Sequence, residues 1–210
     1  MSRVLELGCS TGATGALLKE QPGVEVVGVE FDPGYAAKAA RVLDQVVVHD
    51  LNDPAWLEDV DGSFDCIVAA DVLEHLVDPW TVLRRAVDRL TRDGHVVLSI
   101  PNVRHVHSLL GLAFGRWPYR ERGTHDSTHL RFFTLREIRG LCAAAGLVVA
   151  DVTRSYRFFD RPSPVDRFAR LAGISPFREL LTYQYLVRAV RAHGALPSLG
   201  ERVPPWARRP

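Results

Sequence analysis

The feature that most constrains this chain is the stretch Val4-Leu5-Glu6-Leu7-Gly8-Cys9-Ser10-Thr11-Gly12-Ala13-Thr14-Gly15, an apolar strand running straight into a glycine-rich turn and a helix start. Val4, Leu5 and Leu7 form the apolar run of a parallel strand buried on both faces. Gly8 and Gly12 let the backbone approach a ligand with no side chain between, and Ser10, Thr11 and Thr14 add hydroxyls. Ordinary strand-to-helix turns also use glycine, so the next strand has to decide. Val24 to Val29 is a second apolar run, and it ends at Glu30 and Phe31, with Glu30 eighteen residues after Gly12. A doubly wound fold sets an acid at that point against a ribose diol.

The first half continues in strand and helix alternation, with strands near 3 to 7, 24 to 29, 44 to 49 and 64 to 70, and helices over 12 to 20 and 33 to 41. Acids recur at the ends of strands two, three and four, as Glu30, Asp50 and Asp71, where open α/β sheets bind ligands. A helix over 79 to 91 is expected to end at Asp93-Gly94, with Glu74 and His75 capping its start, and strand five is expected from His95 to Ile100.

The glycines at 8 and 12, with Ser10 between and Ala13 after, fit the pyrophosphate pattern G-x-G-x-x-G poorly and suit a ligand without phosphates. Leu5 to Gly12 resembles the first motif of class I S-adenosylmethionine-dependent methyltransferases, with Ser10 departing at the middle glycine. Phe64-Asp65-Cys66-Ile67-Val68-Ala69-Ala70-Asp71-Val72-Leu73-Glu74-His75-Leu76 resembles their fourth motif. His125-Asp126-Ser127-Thr128-His129-Leu130-Arg131-Phe132-Phe133-Thr134 is similar to a segment of a subgroup that tailors sugars, cell-surface polysaccharides and natural products, related to the ubiquinone-pathway O-methyltransferases. The resemblance spans residues 3 to about 150. It implies an α/β, Rossmann-like, doubly wound sheet of seven strands, mostly parallel, with the last strand antiparallel between strands five and six. It implies S-adenosylmethionine as cofactor, with Glu6, Gly8, Ser10, Thr11, Gly12, Glu30, Phe31, Asp50, Leu51 and Asp71 around it: Glu30 on the ribose hydroxyls, Asp50 on the adenine amino group and Leu51 beside the ring.

At 210 residues, 47% hydrophobic and 24% charged, the chain is expected to be one globular domain over 1–193, with insertions at 103–133 and 155–180 on the substrate side and a disordered Pro- and Arg-rich tail over 194–210. No apolar run reaches the roughly 18 residues of a membrane span, and no signal region opens the chain, so a cytoplasmic protein is expected. Cys9, Cys66 and Cys142 have no disulfide or metal spacing and read as structural. Residues 1 to 100 carry 8 basic and 17 acidic side chains, against 18 and 8 in the remainder. The basic half makes an anionic acceptor a candidate, approached past Arg104, Arg116, Arg120, Arg122 and Arg131; a solvated surface is the plainer reading.

Val106, Leu109, Leu110, Ala113, Phe114 and Trp117 recur at helical spacing and give one apolar face, fit for a lid, a packed core, a homodimer contact or a peripheral membrane contact. The cluster from His125 to His129 precedes a helix with a capping box at Thr134 and Glu137. An alcohol acceptor needs a base near neutral pH, and imidazole suits it, so His129 or His125 is the candidate catalyst. Asp126 is then either an orienting carboxylate or a turn former. A metal on His125, Asp126 and His129 would hang on one unanchored loop, and none is assigned. Strand six is expected over Leu147 to Arg154, a small helix through Val165, Phe168, Ala169 and Leu171, and a last strand over Tyr183 to Val190.

The chain has no Asn-Pro-Pro-aromatic clamp or Pro-Cys nucleophile after strand four, and its only lysines are Lys19 and Lys38, so a nucleic-acid acceptor is not expected. The expected activity is O-methylation of a small-molecule or glycan hydroxyl. Two rivals stand beside it: a nicotinamide oxidoreductase, disfavoured by the glycine spacing and the lack of a Tyr-x-x-x-Lys pair, and a catalytically silent methyltransferase-like partner protein. The second draws on a chain start close to strand one, without the helix that commonly covers the cofactor in the family.

Overall fold

The computed structural model describes residues 2–157 and 177–192, with Pro164, Asp166 and Phe168 between them. Seven strands form one sheet in the order β3-β2-β1-β4-β5-β7-β6: β1 Ser2–Leu7, β2 Val24–Glu30, β3 Gln45–Val48, β4 Phe64–Ala70, β5 Leu90–Pro101, β6 Leu147–Tyr156 and β7 Thr182–Arg191. β1 pairs in parallel with β2 and β4, β2 with β3, and β4 with β5. β7 runs antiparallel between β5 and β6, as the resemblance implied.

Among the described residues the α-helices are α1 Ala13–Leu18, α2 Pro33–Ala39, α3 Pro79–Asp88, α4 Val106–Ala113, α5 Leu135–Ala144 and α6 Arg178–Leu181. β1 is buried on both faces because side chains alternate along a strand. Leu5 and Leu7 join Val27, Val29, Ile67 and Leu98 under α3 and α5, whose Leu83, Ala86, Ile138 and Leu141 complete that layer. Val4 turns the other way, to Val26, Val68, Ala39 and Leu43 beside α2. Both faces are thus sealed, which fixes the strand ends that carry the acids.

Several expectations change. β5 begins at Leu90, five residues before the expected start, so Asp93 and Gly94 lie within the strand span instead of ending a helix. Phe64 pairs with Leu90 and Cys66 with His95, so the intervening residues bulge from the ladder. α3 is capped not by Glu74 or His75 but by Asp78, whose Oδ1 accepts from the Thr81 amide at 3.1 Å. Thr134 caps α5 as its sequence implied, accepting from the Glu137 amide at 3.3 Å. α4 does not pack into the core: Leu109, Leu110, Leu112 and Phe114 are exposed, Phe114 by 77%. The three cysteines are free, and burial pushes the Cys9, Cys66 and Cys142 thiols up to about 12, 11 and 12. No helix among the described residues is long and apolar enough to cross a membrane. The expected helix through Val165 and Leu171 and the tail over 194–210 lie outside the described residues.

Candidate active site

A cavity of about 460 Å³ opens at the carboxyl ends of β1, β2, β3 and β4. It falls within the roughly 300–1,000 Å³ of small-molecule sites. Gly8, Ser10, Glu30, Phe31, Asp50, Leu51 and Asp71 line it, so seven of the ten expected cofactor residues converge. Glu6, Thr11 and Gly12 are not on its wall. Glu6 lies buried beneath the glycine turn against Gly15, and burial pushes its carboxyl up to about 7. Tyr35, His49, Asn52, Val72, His75 and Thr128 also line the cavity and were not read from the sequence.

The turn is tight for a physical reason. Gly8 has φ +65°, and a Cβ there would lie 2.6 Å from Val72 Cγ2, on the wall of the cavity. Ser10, the departure from glycine, also adopts positive φ at 48°. Its amide donates to Glu30 Oε2 at 2.8 Å, while Glu30 Oε1 accepts from the Asp32 amide at 3.0 Å. The strand-end acid therefore braces the turn and faces the cavity at once. Asp50 Oδ1 accepts from the Asn52 amide at 2.8 Å, and Asn52 Oδ1 accepts from the Val77 amide at 2.9 Å, which ties the β3 end to the segment after β4.

Asp71 is the second non-glycine residue at positive φ, 53°, a conformation that costs on the order of 1–3 kcal/mol where the surroundings enforce it. The Gln184 amide of β7 donates to Asp71 Oδ1 and to Ser99 Oγ. Withdrawal from water raises the Asp71 carboxyl, with His75, Gln184 and Ser99 opposing. Asp71 is exposed, and both this cavity and a second one reach it.

A second cavity, of about 320 Å³, shares Asp71 and His75 with the first and is further lined by Glu74, Arg122, Asp126, His129, Arg157, Tyr183 and Gln184. The segment carrying His129 is pinned there by the Glu74 carbonyl, which accepts from the Leu130 amide at 2.8 Å and the Arg131 amide at 2.9 Å. The His75 and His129 rings meet edge to face at 4.6 Å. Thr128 Oγ1 lies 2.9 Å from His75 Nδ1 and donates to Asp126 Oδ1 at 2.6 Å. Burial, then the neighbouring His75, lowers the His129 pKa, and bonds from Thr128 keep the Asp126 carboxyl low despite partial burial. Burial pushes the Glu74 carboxyl up to about 8, with Asp71 and Asp126 adding to the rise.

His125 is not brought to this wall. It is 1% exposed and packs against Trp117 and His107 at ring separations of 4.5 and 5.8 Å. A larger cavity, about 900 Å³, lies beside α4 between Phe114, Arg116, Trp117 and Arg120, away from the glycine turn and lined by no carboxylate. Of the five arginines considered for an anionic acceptor, Arg122 alone reaches the second cavity, joined there by Arg157. Arg131 is occupied by the Val77 carbonyl, with its Nε at 3.1 Å.

A glycine turn, strand-end acids on a cavity of about 460 Å³ and a switch-point sheet with an antiparallel seventh strand define the S-adenosylmethionine-dependent methyltransferase class. Residues 1–152 match the family model described as "Methyltransferase domain", and the chain belongs to that family. Among curated proteins, it is 28% identical over 155 residues to the ubiquinone biosynthesis O-methyltransferase of Azorhizobium caulinodans, covering 71% of this chain and 60% of that protein. The chain spans 60–66% of the length of the first such relatives it matches. Among solved structures, the magnesium protoporphyrin IX methyltransferase of Synechocystis PCC 6803, with bound SAH, aligns at TM-score 0.62 and 17% identity over 91% of this chain and 74% of that one. A SAM-dependent methyltransferase of Archaeoglobus fulgidus aligns at TM-score 0.62 and 20% identity, over 90% and 85%.

Proposed function

We propose that this chain transfers a methyl group from S-adenosylmethionine to a hydroxyl oxygen of a small molecule or glycan, acting as a single domain over residues 1–193. The observation that carries the reading is the meeting of two cavities at Asp71 and His75, one lined by the glycine turn and strand-end acids, the other by imidazoles. The first fits the donor. Glu30 is assigned to the ribose diol, Asp50 to the adenine side with Leu51 against the ring, and Gly8 to the close backbone approach that a Cβ would block. Asp71, at the neck, supplies negative charge near the cationic centre.

When bound, S-adenosylmethionine supplies a methyl carbon on a good leaving group, so alignment does most of the catalytic work. That carbon would pass to the acceptor oxygen, whose proton needs a destination. His129 is assigned to take it, because its ring sits on the second cavity wall and burial lowers its pKa, favouring the neutral ring that can accept a proton. Asp126 is assigned to orientation, acting through Thr128 on His75. Similarity to the ubiquinone biosynthesis O-methyltransferases supports an oxygen acceptor. Arg122 and Arg157 support an acceptor carrying negative charge.

Thermal-shift measurements with S-adenosylmethionine and with NAD test the donor assignment. Methyl transfer from labelled donor to phenolic and sugar hydroxyls, with and without phosphate, tests the acceptor. A shift with the methyl donor and label on oxygen are expected. A shift with NAD alone would favour the oxidoreductase, and donor binding without transfer to any acceptor would favour the silent partner protein.

A further inference from the structure

Among the described residues, the non-glycine positions at positive φ are Ser10 and Asp71, and both line the first cavity. Strain of this kind persists where the surroundings enforce it, and it gathers at functional sites. At Ser10 the glycine turn and Glu30 enforce it. At Asp71 the enforcement comes from two other strands. The Asp71 amide donates to the Ser99 carbonyl of β5 at 3.0 Å. Gln184 of β7 donates from Nε2 to Asp71 Oδ1 and, at 2.7 Å, to Ser99 Oγ, and the Ser99 hydroxyl bonds the Asp71 carboxyl in turn. Gln184 sits opposite Pro101 in the β5–β7 ladder, so this ring of three side chains straps the carboxyl ends of β4 and β5 to the start of β7.

The strap does more than close the sheet, for which an apolar side chain at 184 would serve. An ionised carboxylate only accepts hydrogen bonds, so the Gln184 amide has one orientation here, with its nitrogen toward Asp71. Desolvation alone would drive the Asp71 carboxyl toward its neutral form. His75, Gln184, Ser99 and Arg157 all act against that and favour the anion. The strap therefore fixes both where this carboxylate stands and that it is charged.

Its place gives that charge a use. Glu30, Asp50 and Asp71 are the acids on the first cavity, and of these Asp71 is the one shared with the second. With Glu30 and Asp50 assigned to ribose and adenine, the sulfur of the donor falls toward the neck where the cavities meet. The adenosine part is the same before and after methyl transfer. The sulfur is not: it is a sulfonium cation in S-adenosylmethionine and a neutral thioether in S-adenosylhomocysteine. Attraction between charges falls off slowly with distance, so a carboxylate at the neck distinguishes the two forms even without touching the sulfur.

We infer that Gln184 and Ser99 hold the Asp71 carboxylate as a charge discriminator, which favours the sulfonium donor over the thioether product and so loosens the product once the positive charge is gone. The inference rests on the first cavity holding the donor with its sulfur at the neck. It adds to that reading a specificity-determining residue, Asp71, and two positioning residues, Gln184 and Ser99. Gln184 lines the second cavity and not the first, so selectivity for the donor is set from the acceptor side.

Titration calorimetry of the full chain with three ligands tests this: S-adenosylmethionine, S-adenosylhomocysteine and sinefungin, in which a carbon bearing an ammonium stands in place of the sulfonium. Asp71→Asn should weaken the two cationic ligands about tenfold and leave the thioether within about twofold, the scale of one partly screened charge pair. Asparagine tolerates the left-handed backbone, so this variant changes the charge and keeps the conformation. Gln184→Leu and Ser99→Ala should shift the cation-to-thioether affinity ratio the same way, about three- to tenfold and about twofold, because the carboxylate loses donors that favour its charge. Asp50→Asn, on the adenine side, should weaken all three ligands alike. Circular dichroism checks folding, and Gln184→Met takes the place of Gln184→Leu if that variant does not fold. An unchanged ratio in Asp71→Asn overturns the inference, as does a Gln184→Leu variant that weakens all three ligands equally, which would make the strap structural only. In either case the wild type still binds donor and product, and the methyltransferase reading stands. If the wild type binds none of the three, the donor reading fails and the inference with it.

Discussion

The cavity proposed for the donor and the cavity proposed for the acceptor share Asp71 and His75 but are built by different means. Around the donor cavity the structuring bonds are short in sequence: Glu30 to Asp32 and Asp50 to Asn52 span two residues each, and Glu30 to Ser10 spans twenty. Around the acceptor cavity they are long. Thr128 to His75 spans 53 residues and Gln184 to Asp71 spans 113. The first cavity is a by-product of parallel strands ending side by side, whereas the second exists only once a loop from beyond β5 and a strand from the end of the chain have docked against the turn after β4. Donor binding should therefore survive lesions that abolish turnover, and the predictions that follow probe that separation.

The largest effect is expected at His129. His129→Asn should lower turnover on an authentic acceptor by about 100- to 10,000-fold while donor affinity, read by calorimetry, stays within about twofold. Near-normal turnover in this variant would make the ring structural and merge the two regions in one scaffold. Next comes Glu30→Ala, which removes the brace under Ser10 as well as the acid on the cavity wall. Charge-assisted bonds are worth about 1.5–3 kcal/mol each, so donor affinity should fall about tenfold or more, with Asp50→Ala costing less. Equal donor affinity in wild type and Glu30→Ala would sink the ribose assignment.

A smaller effect concerns stability. Burial raises the Glu6 carboxyl from its ordinary 4.5 to about 7, so the folded state holds this proton more tightly than the unfolded chain. The associated stability is fully present below about pH 4.5 and is lost as pH rises through 7. Glu6→Gln should flatten the fall in melting temperature between pH 5 and 8, an effect on the order of 1–3 kcal/mol. An unchanged slope would show that another group carries it. The smallest expected effect is that of salt. Arg122 and Arg157 at the acceptor cavity should make the Michaelis constant of an anionic acceptor rise a few-fold from low to moderate ionic strength, since exposed charges are screened over about 8–10 Å. A flat profile would favour a neutral hydroxyl acceptor.

Much of the donor side was legible from residue order alone. Gly8 and Gly12 announced the turn, and the spacing to Glu30 identified the second strand end, because strand alternation and turn chemistry are local properties. Glu6 lies on the strand and is buried beneath the turn against Gly15, off the cavity wall. At the second cavity the sequence singled out a loop that lines it, but not that loop's inner face. His125 and His129 were equivalent on paper, yet one ring is sealed against Trp117 and the other lies against His75. Glu74 and His75 resembled helix caps until Asp78 proved to be the cap.

By itself, then, the sequence determined the α/β alternation, the glycine turn, the row of strand-end acids and the helix cap at Thr134, each set by interactions among residues near one another along the chain. Tertiary structure alone decided which of two histidines reaches the cavity, that Gln184 holds Asp71, and that Glu74, His75 and His129 share one wall. Those juxtapositions depend on β7 inserting between β5 and β6 and on the loop carbonyl contacts at Glu74. Contacts between residues 53 and 113 apart are fixed by how packed layers dock, and no periodicity in the chain encodes that distance.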